Sequence, residues 1–171
     1  MPDPKRELLQ HFLAALAYRT QKAVRGAPAE YADFRAADGV RTPHQLVHHM
    51  SGVLLFALTH FEPVETWLPL EPSFQDEIDA FHRVLDSLRR HLEGGMPITG
   101  ITPERLLQGP FADAMTHAGQ LAMLRRLAGA PIPPEDFSKA DIDRGNVGPT
   151  QPPAVSPDAV WEDAEGRRQD R

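Results

Sequence analysis

Residues 102–129 read TPERLLQGPFADAMTHAGQLAMLRRLAG, and the fold turns on how they are parsed. Thr102 followed by Pro103 is a helix start: the hydroxyl caps free N–H groups, and proline at the first helical position lacks only an N–H that would be unpaired anyway. Leu106, Pro110, Asp113, His117, Leu121 and Leu124 recur at helical spacing, and Gly129 ends the run. Pro110 interrupts it. The residue before a proline is pushed out of the α region, so the spacing predicts a short helix over 103–108, a break at Gly109 and a second helix from Pro110. The inward face of that second helix then carries a carboxylate and an imidazole, Asp113 and His117, one turn apart.

Working outward, the same Thr-Pro start recurs at Thr42 and Pro43 and opens a helix over TPHQLVHHMSGVLLFALTHF, residues 42–61. Upstream, residues 4–26 place Leu8, Phe12, Leu16 and Ala23, with Leu9, Leu13 and Ala17, at helical spacing. Ser73 opens a third helix over 73–95, where Phe74, Ile78, Phe81, Leu85, Leu88 and Leu92 form one stripe before a Gly-Gly stop. Between the first two helices, residues 27–43 show no sustained period, with Tyr31 and Phe34 placed to pin them to a core. Four helices separated by breakers predict an all-α, four-helix-bundle domain over 1–130, and the long first connection points to a crossover.

The remainder, 131–171, holds seven of the 17 prolines and few large apolar residues, so it has no core of its own. It is expected as an extended C-terminal arm anchored by Phe137, Ile142 and Val147, or as a disordered tail, with a short terminal helix capped by Ser156 as an option. A chain of 171 residues with 41% apolar content can bury one core. Its net charge of −6 opposes binding to phosphate backbones, which excludes nucleic acid as a partner. The absence of cysteine removes disulfides, thiolate metal sites and a cysteine nucleophile, leaving His, Asp and Glu as metal ligands. The N-terminus lacks the apolar run of a signal peptide and VLLFAL is too short to span a bilayer, so no membrane association and a cytoplasmic location are expected.

Helix two aligns Leu46, His49, Val53, Phe56 and His60, which puts His49 on the core-facing stripe and His48 about a hundred degrees away. Residues at i and i+4 have β-carbons roughly 5–6 Å apart, so Asp113 and His117 can converge on one point in front of their helix. With His49 from a facing helix, the set becomes two imidazoles and a carboxylate, a ligand group for zinc and other divalent transition metals that keep open positions for water or substrate. Spacing alone leaves a second reading open, a simple Asp113–His117 ion pair beside a core histidine. Gln120, His60 and His48 are the candidates for supporting or cavity-lining roles. His11, His82 and His91 sit among charged neighbours and are expected in solvent, His44 in a capping turn, and the pairs Arg89–Arg90 and Arg125–Arg126 on a solvated face, with Arg125 or Arg126 holding an anionic ligand as the alternative.

TPHQLVHHM followed by DAMTHAGQLAMLRRLAG resembles the DinB-like family of the DinB/YfiT superfamily, four-helix-bundle metalloproteins of bacteria. The family's Thr-Pro-x-x-Leu-x-x-His pattern falls on Thr42, Pro43, Leu46 and His49. Its His-x-x-x-His-x-Gly-Gln pattern falls with the later histidine on His117 and the Gly-Gln on Gly119 and Gln120, while Asp113 stands where the family has its first histidine. The resemblance implies a divalent transition metal held by His49, Asp113 and His117: zinc or nickel, with iron or manganese as alternatives. It also implies a small-molecule enzyme that activates a low-molecular-weight thiol, or water, for transfer to or hydrolysis of an electrophile. The alternatives are a non-catalytic metal-binding or stress-response module working through a homodimer face, and a non-haem iron oxygenase.

Overall fold

A computed structural model describes residues 3–157, 160–162 and 168–170. The architecture is all-helical in its body. Helix α1 spans Pro4–Val24, α2 Pro43–Leu58, α3 Phe74–Glu93, α4 Pro103–Leu106 and α5 Ala112–Leu127. Each start has the expected chemistry: the side chains of Thr42, Ser73 and Thr102 accept backbone N–H bonds from the first turns of α2, α3 and α4, with Pro43 and Pro103 inside two of them. Thr42 and Gln45 form a reciprocal capping box, and Asp3 caps α1.

The break falls where proline demands it. Residues Leu107–Phe111 form a wide π-type turn, and Gly109, at φ −92° and ψ −106°, leaves the helical region. This resets the phase of α5 relative to α4.

The four long helices pack as a ring: α1 lies against α3 and α5, and α2 lies against the same two. Helices α1 and α2 are thus diagonal to each other, and residues 25–42 carry the chain across, as the long connection implied. A 3₁₀ turn at Ala29–Asp33 lets Tyr31, fully buried, donate its hydroxyl to the Leu121 carbonyl at 2.7 Å. At the centre Leu13, Leu54, Phe81, Leu85, Phe111 and Leu121 are fully buried; each contributes roughly 1.5–3 kcal/mol of transfer free energy.

The core arc of α2 differs from the stripe read in the sequence. Val47, Met50, Leu54 and Ala57 are buried, whereas Phe56 is 52% exposed and His49 sits at the arc's edge. A three-four spacing fits several overlapping arcs, and the one buried is set by where α3 and α5 flank the helix. Leu8, read as part of α1's apolar face, is likewise exposed.

The arm is ordered against the helices over the described residues. Val147 is buried in the core, Ile142 packs on it, and Phe137 lies 3.9 Å beneath the Arg19 guanidinium. Three polar anchors join them. Glu135 accepts from the Tyr18 hydroxyl at 2.7 Å and from Lys22 Nζ at 2.6 Å, Arg25 donates to the Gln151 carbonyl at 2.6 Å, and His82 Nδ1–H donates to the Val147 carbonyl at 2.7 Å. The optional terminal helix is not what the chain forms. Ser156 accepts from the Asp136 N–H instead of capping, and Val160–Glu162 pairs antiparallel with Arg168–Asp170; Val160 and Trp161 are strand formers.

His82, expected in solvent, is 4% exposed and bridges Gln21 Nε2 (2.8 Å) to Val147. Burial pushes its pKa below the usual imidazole value, against the opposing pull of the Val147 carbonyl. In the window between that lowered value and an unfolded imidazole near 6.5, the unfolded chain binds the extra proton, so stability falls as pH falls. The melting temperature is expected to drop on going from about pH 7 to about pH 5, and to drop less in His82→Gln. Equal drops in both proteins would show that His82 is not the group responsible.

Candidate metal centre

The phase set by the Gly109 break brings the first two turns of α5 alongside the middle of α2. Ligand atoms of His49, Asp113 and His117 all lie within 4.8 Å of one another, and the set can hold a metal ion. The His49 and His117 rings are 4.8 Å apart and steeply inclined, at 76°. His117 is 9% exposed. Asp113 corrects the sequence reading, because its side chain is 50% exposed and so does not lie on the core face. Its place in the first turn of α5 favours a negative charge there through the helix dipole.

Three observations bear on the choice between ion pair and metal. His117 Nε2 and Asp113 Oδ1 are 3.4 Å apart, beyond the 2.7–3.2 Å of an ordinary N–H···O bond. They stand at about the separation of two ligands arranged tetrahedrally round one ion at 2.0–2.1 Å. Next, Gln120 Oε1 accepts from His117 Nδ1–H at 2.8 Å. That bond puts a ring proton on Nδ1 and leaves Nε2 as the atom turned to the Asp113 carboxylate, the orientation in which the two can share a cation. Third, His49 is held below the usual imidazole pKa by burial first, and then by the charge of Arg41 and the neighbouring His117. The neutral imidazole is the metal-binding form.

The residues thus fit a divalent metal with open positions. A cleft of about 780 Å³ opens at this point, lined by His49, Val53, Phe56, Gly109, Asp113 and Thr116 among others. Gln120→Leu is expected to weaken metal binding by about ten- to a hundredfold, because the ring loses the partner that fixes its tautomer. Competition against a chromophoric chelator measures this, and an unchanged affinity would remove Gln120 from the site.

The remaining candidates are placed elsewhere. His48 lies about a hundred degrees round α2 from His49 and donates Nδ1–H to Glu77 Oε2 at 3.2 Å. His60 donates to the Thr99 carbonyl at 2.8 Å and does not reach the cleft. His91, expected in solvent, stacks on Phe61 and lies 3.2 Å from Glu62. His44 is buried, while the cap is made by Thr42. Arg125 holds no ligand: it is 5% exposed and donates to the carbonyls of Ala23, Arg25 and Ala130. The sequence reading missed Glu77, 1% exposed on α3. Its signal was available, since it shares the arc of Phe81, Val84 and Leu88 one turn apart.

Among the described residues no helix is long and apolar enough to cross a membrane. No family model, no curated protein and no solved structure matches the chain.

Proposed function

We propose that this chain is a DinB-like four-helix-bundle metalloprotein. In this reading His49, Asp113 and His117 hold a divalent transition metal, and the cleft beside them takes a small electrophilic substrate together with a low-molecular-weight thiol or water. The observation that carries it is the convergence of ligand atoms from two imidazoles and a carboxylate, on two helices, within 4.8 Å of one another at an open cleft. The quoted motifs support the family assignment. A metal bound there would lower the pKa of a thiol or water towards neutrality, and the chain has no cysteine thiol of its own to supply such a nucleophile. The chain's own part is to present His49 neutral, hold His117 through Gln120, and offset the metal's charge with Asp113.

The test is elemental analysis of protein purified without chelators, followed by a screen of thiol transfer and hydrolysis with small electrophiles. Stoichiometric metal with thiol-dependent turnover supports the reading; absence of both overturns it. A second reading, the non-catalytic module acting through a homodimer, draws on Met123 and Leu127, which are exposed one turn apart on α5. A metal-loaded dimer without turnover, dissociated by Met123→Glu, would favour it.

A further inference from the structure

Beside the cleft, on the adjoining face of α2, lies a second cavity, about 230 Å³, between α2, α3 and the strap 66–71. Leu55, Ala80, Val84 and Trp67 give it an apolar wall, and His48 and Glu77 give it a polar end. The Glu77 side chain is 2% exposed, and its two hydrogen bonds, from His48 Nδ1–H at 3.2 Å and from the Glu71 N–H at 3.0 Å, both end on Oε2. Oε1 is left to the cavity. The other charges lining the cavity, Arg83 and Glu71, are more exposed and stand 3.8 Å apart, so they largely cancel. A buried carboxylate whose partners are one imidazole and one backbone N–H, both on one oxygen, keeps a second oxygen that a ligand's cation can meet, and an incompletely paired buried charge is costly.

We propose that this cavity binds a small organic ammonium ion whose charged end meets Glu77 and whose apolar body lies along Leu55, Ala80 and Val84. The site is distinct from the metal centre, and the proposal stands whether or not a metal is bound. The two cavities meet at Gly52 and Thr66, which line both. A β-carbon on Gly52 would meet nothing within 4 Å, so the junction there is open space. Residues 48 and 49, consecutive on one helix, thus serve two neighbouring sites.

The test uses the full chain in the presence of a chelator, with benzylamine, benzyl alcohol and benzoate as probes, followed by amide shifts of Ser51, Gly52 and Ala80. Benzylamine is expected to bind at least tenfold more tightly than either isostere, by analogy with other charge-assisted hydrogen bonds in enclosed sites. Glu77→Gln should lose that preference. Gly52→Leu, whose side chain enters open space, should fold normally and lose the binding, which keeps the test decisive if Glu77→Gln fails to fold. Equal binding of the three probes, or full benzylamine binding by Gly52→Leu, overturns the proposal. Because the chelator removes any metal, neither result depends on the metal centre.

Discussion

His117→Ala is expected to purify without metal and without turnover, while keeping its helical content. The magnitudes distinguish this outcome from the ion-pair reading. A pair whose carboxylate is half exposed contributes at most about 1 kcal/mol, so breaking it would barely move the melting temperature. A metal present at a thousand times its dissociation constant stabilises the native state by about 4 kcal/mol. Adding zinc or nickel to chelated wild-type protein should therefore raise the melting temperature by roughly 10 °C, and the same addition to His117→Ala should not. Loss of the ring should weaken affinity by more than the roughly hundredfold that an outer partner costs. If the alanine variant kept full metal content by elemental analysis, the assignment of His117 as a ligand would be wrong.

Phe111→Ala is the substitution expected to cost the most stability. Phe111 is fully buried at the end of the π-type turn and stacks on Phe12 with ring centroids 6.3 Å apart. Truncating a buried phenylalanine costs about 3–5 kcal/mol, a large share of the 5–15 kcal/mol that holds a domain of this kind together. For a chain of this size the melting temperature should fall by roughly 10 °C. The loss should reach the metal centre too, because Phe111 fixes where α5 begins and hence where Asp113 and His117 stand. Chemical denaturation with metal titration checks both; a drop in stability with unchanged metal affinity would separate the break from the site.

The parts of the fold written in local chemistry were legible. Thr-Pro starts and the Gly-Gly stop act through a few neighbouring residues and are found where the sequence put them; the departure at Gly109 is too, although α4 ends at Leu106 and α5 begins at Ala112, with Pro110 inside the turn between. The one-turn spacing of Asp113 and His117 was legible for the same reason, whereas the approach of His49 depends on how α2 packs against α5. What was not legible depends on neighbours distant in sequence. Phe56 falls outside the buried arc because α3 and α5 flank a different side of α2. His82 lies in the interior because Val147, 65 residues later, returns to cover it. Glu135 finds Tyr18 across 117 residues, and no window of sequence contains both.

Those long-range anchors have a kinetic meaning. The α1 residues Tyr18 and Lys22, and the α3 residue His82, each wait for a partner beyond residue 134 before their hydrogen bonds can close. Closing such loops costs entropy that grows slowly with their length, and non-local contacts form more slowly than local ones. On the ribosome, α1 would emerge long before the segment that completes its surroundings, so the helical body can collapse first and the arm seal it last. Refolding should then show two phases, with Val147 burial confined to the slower one.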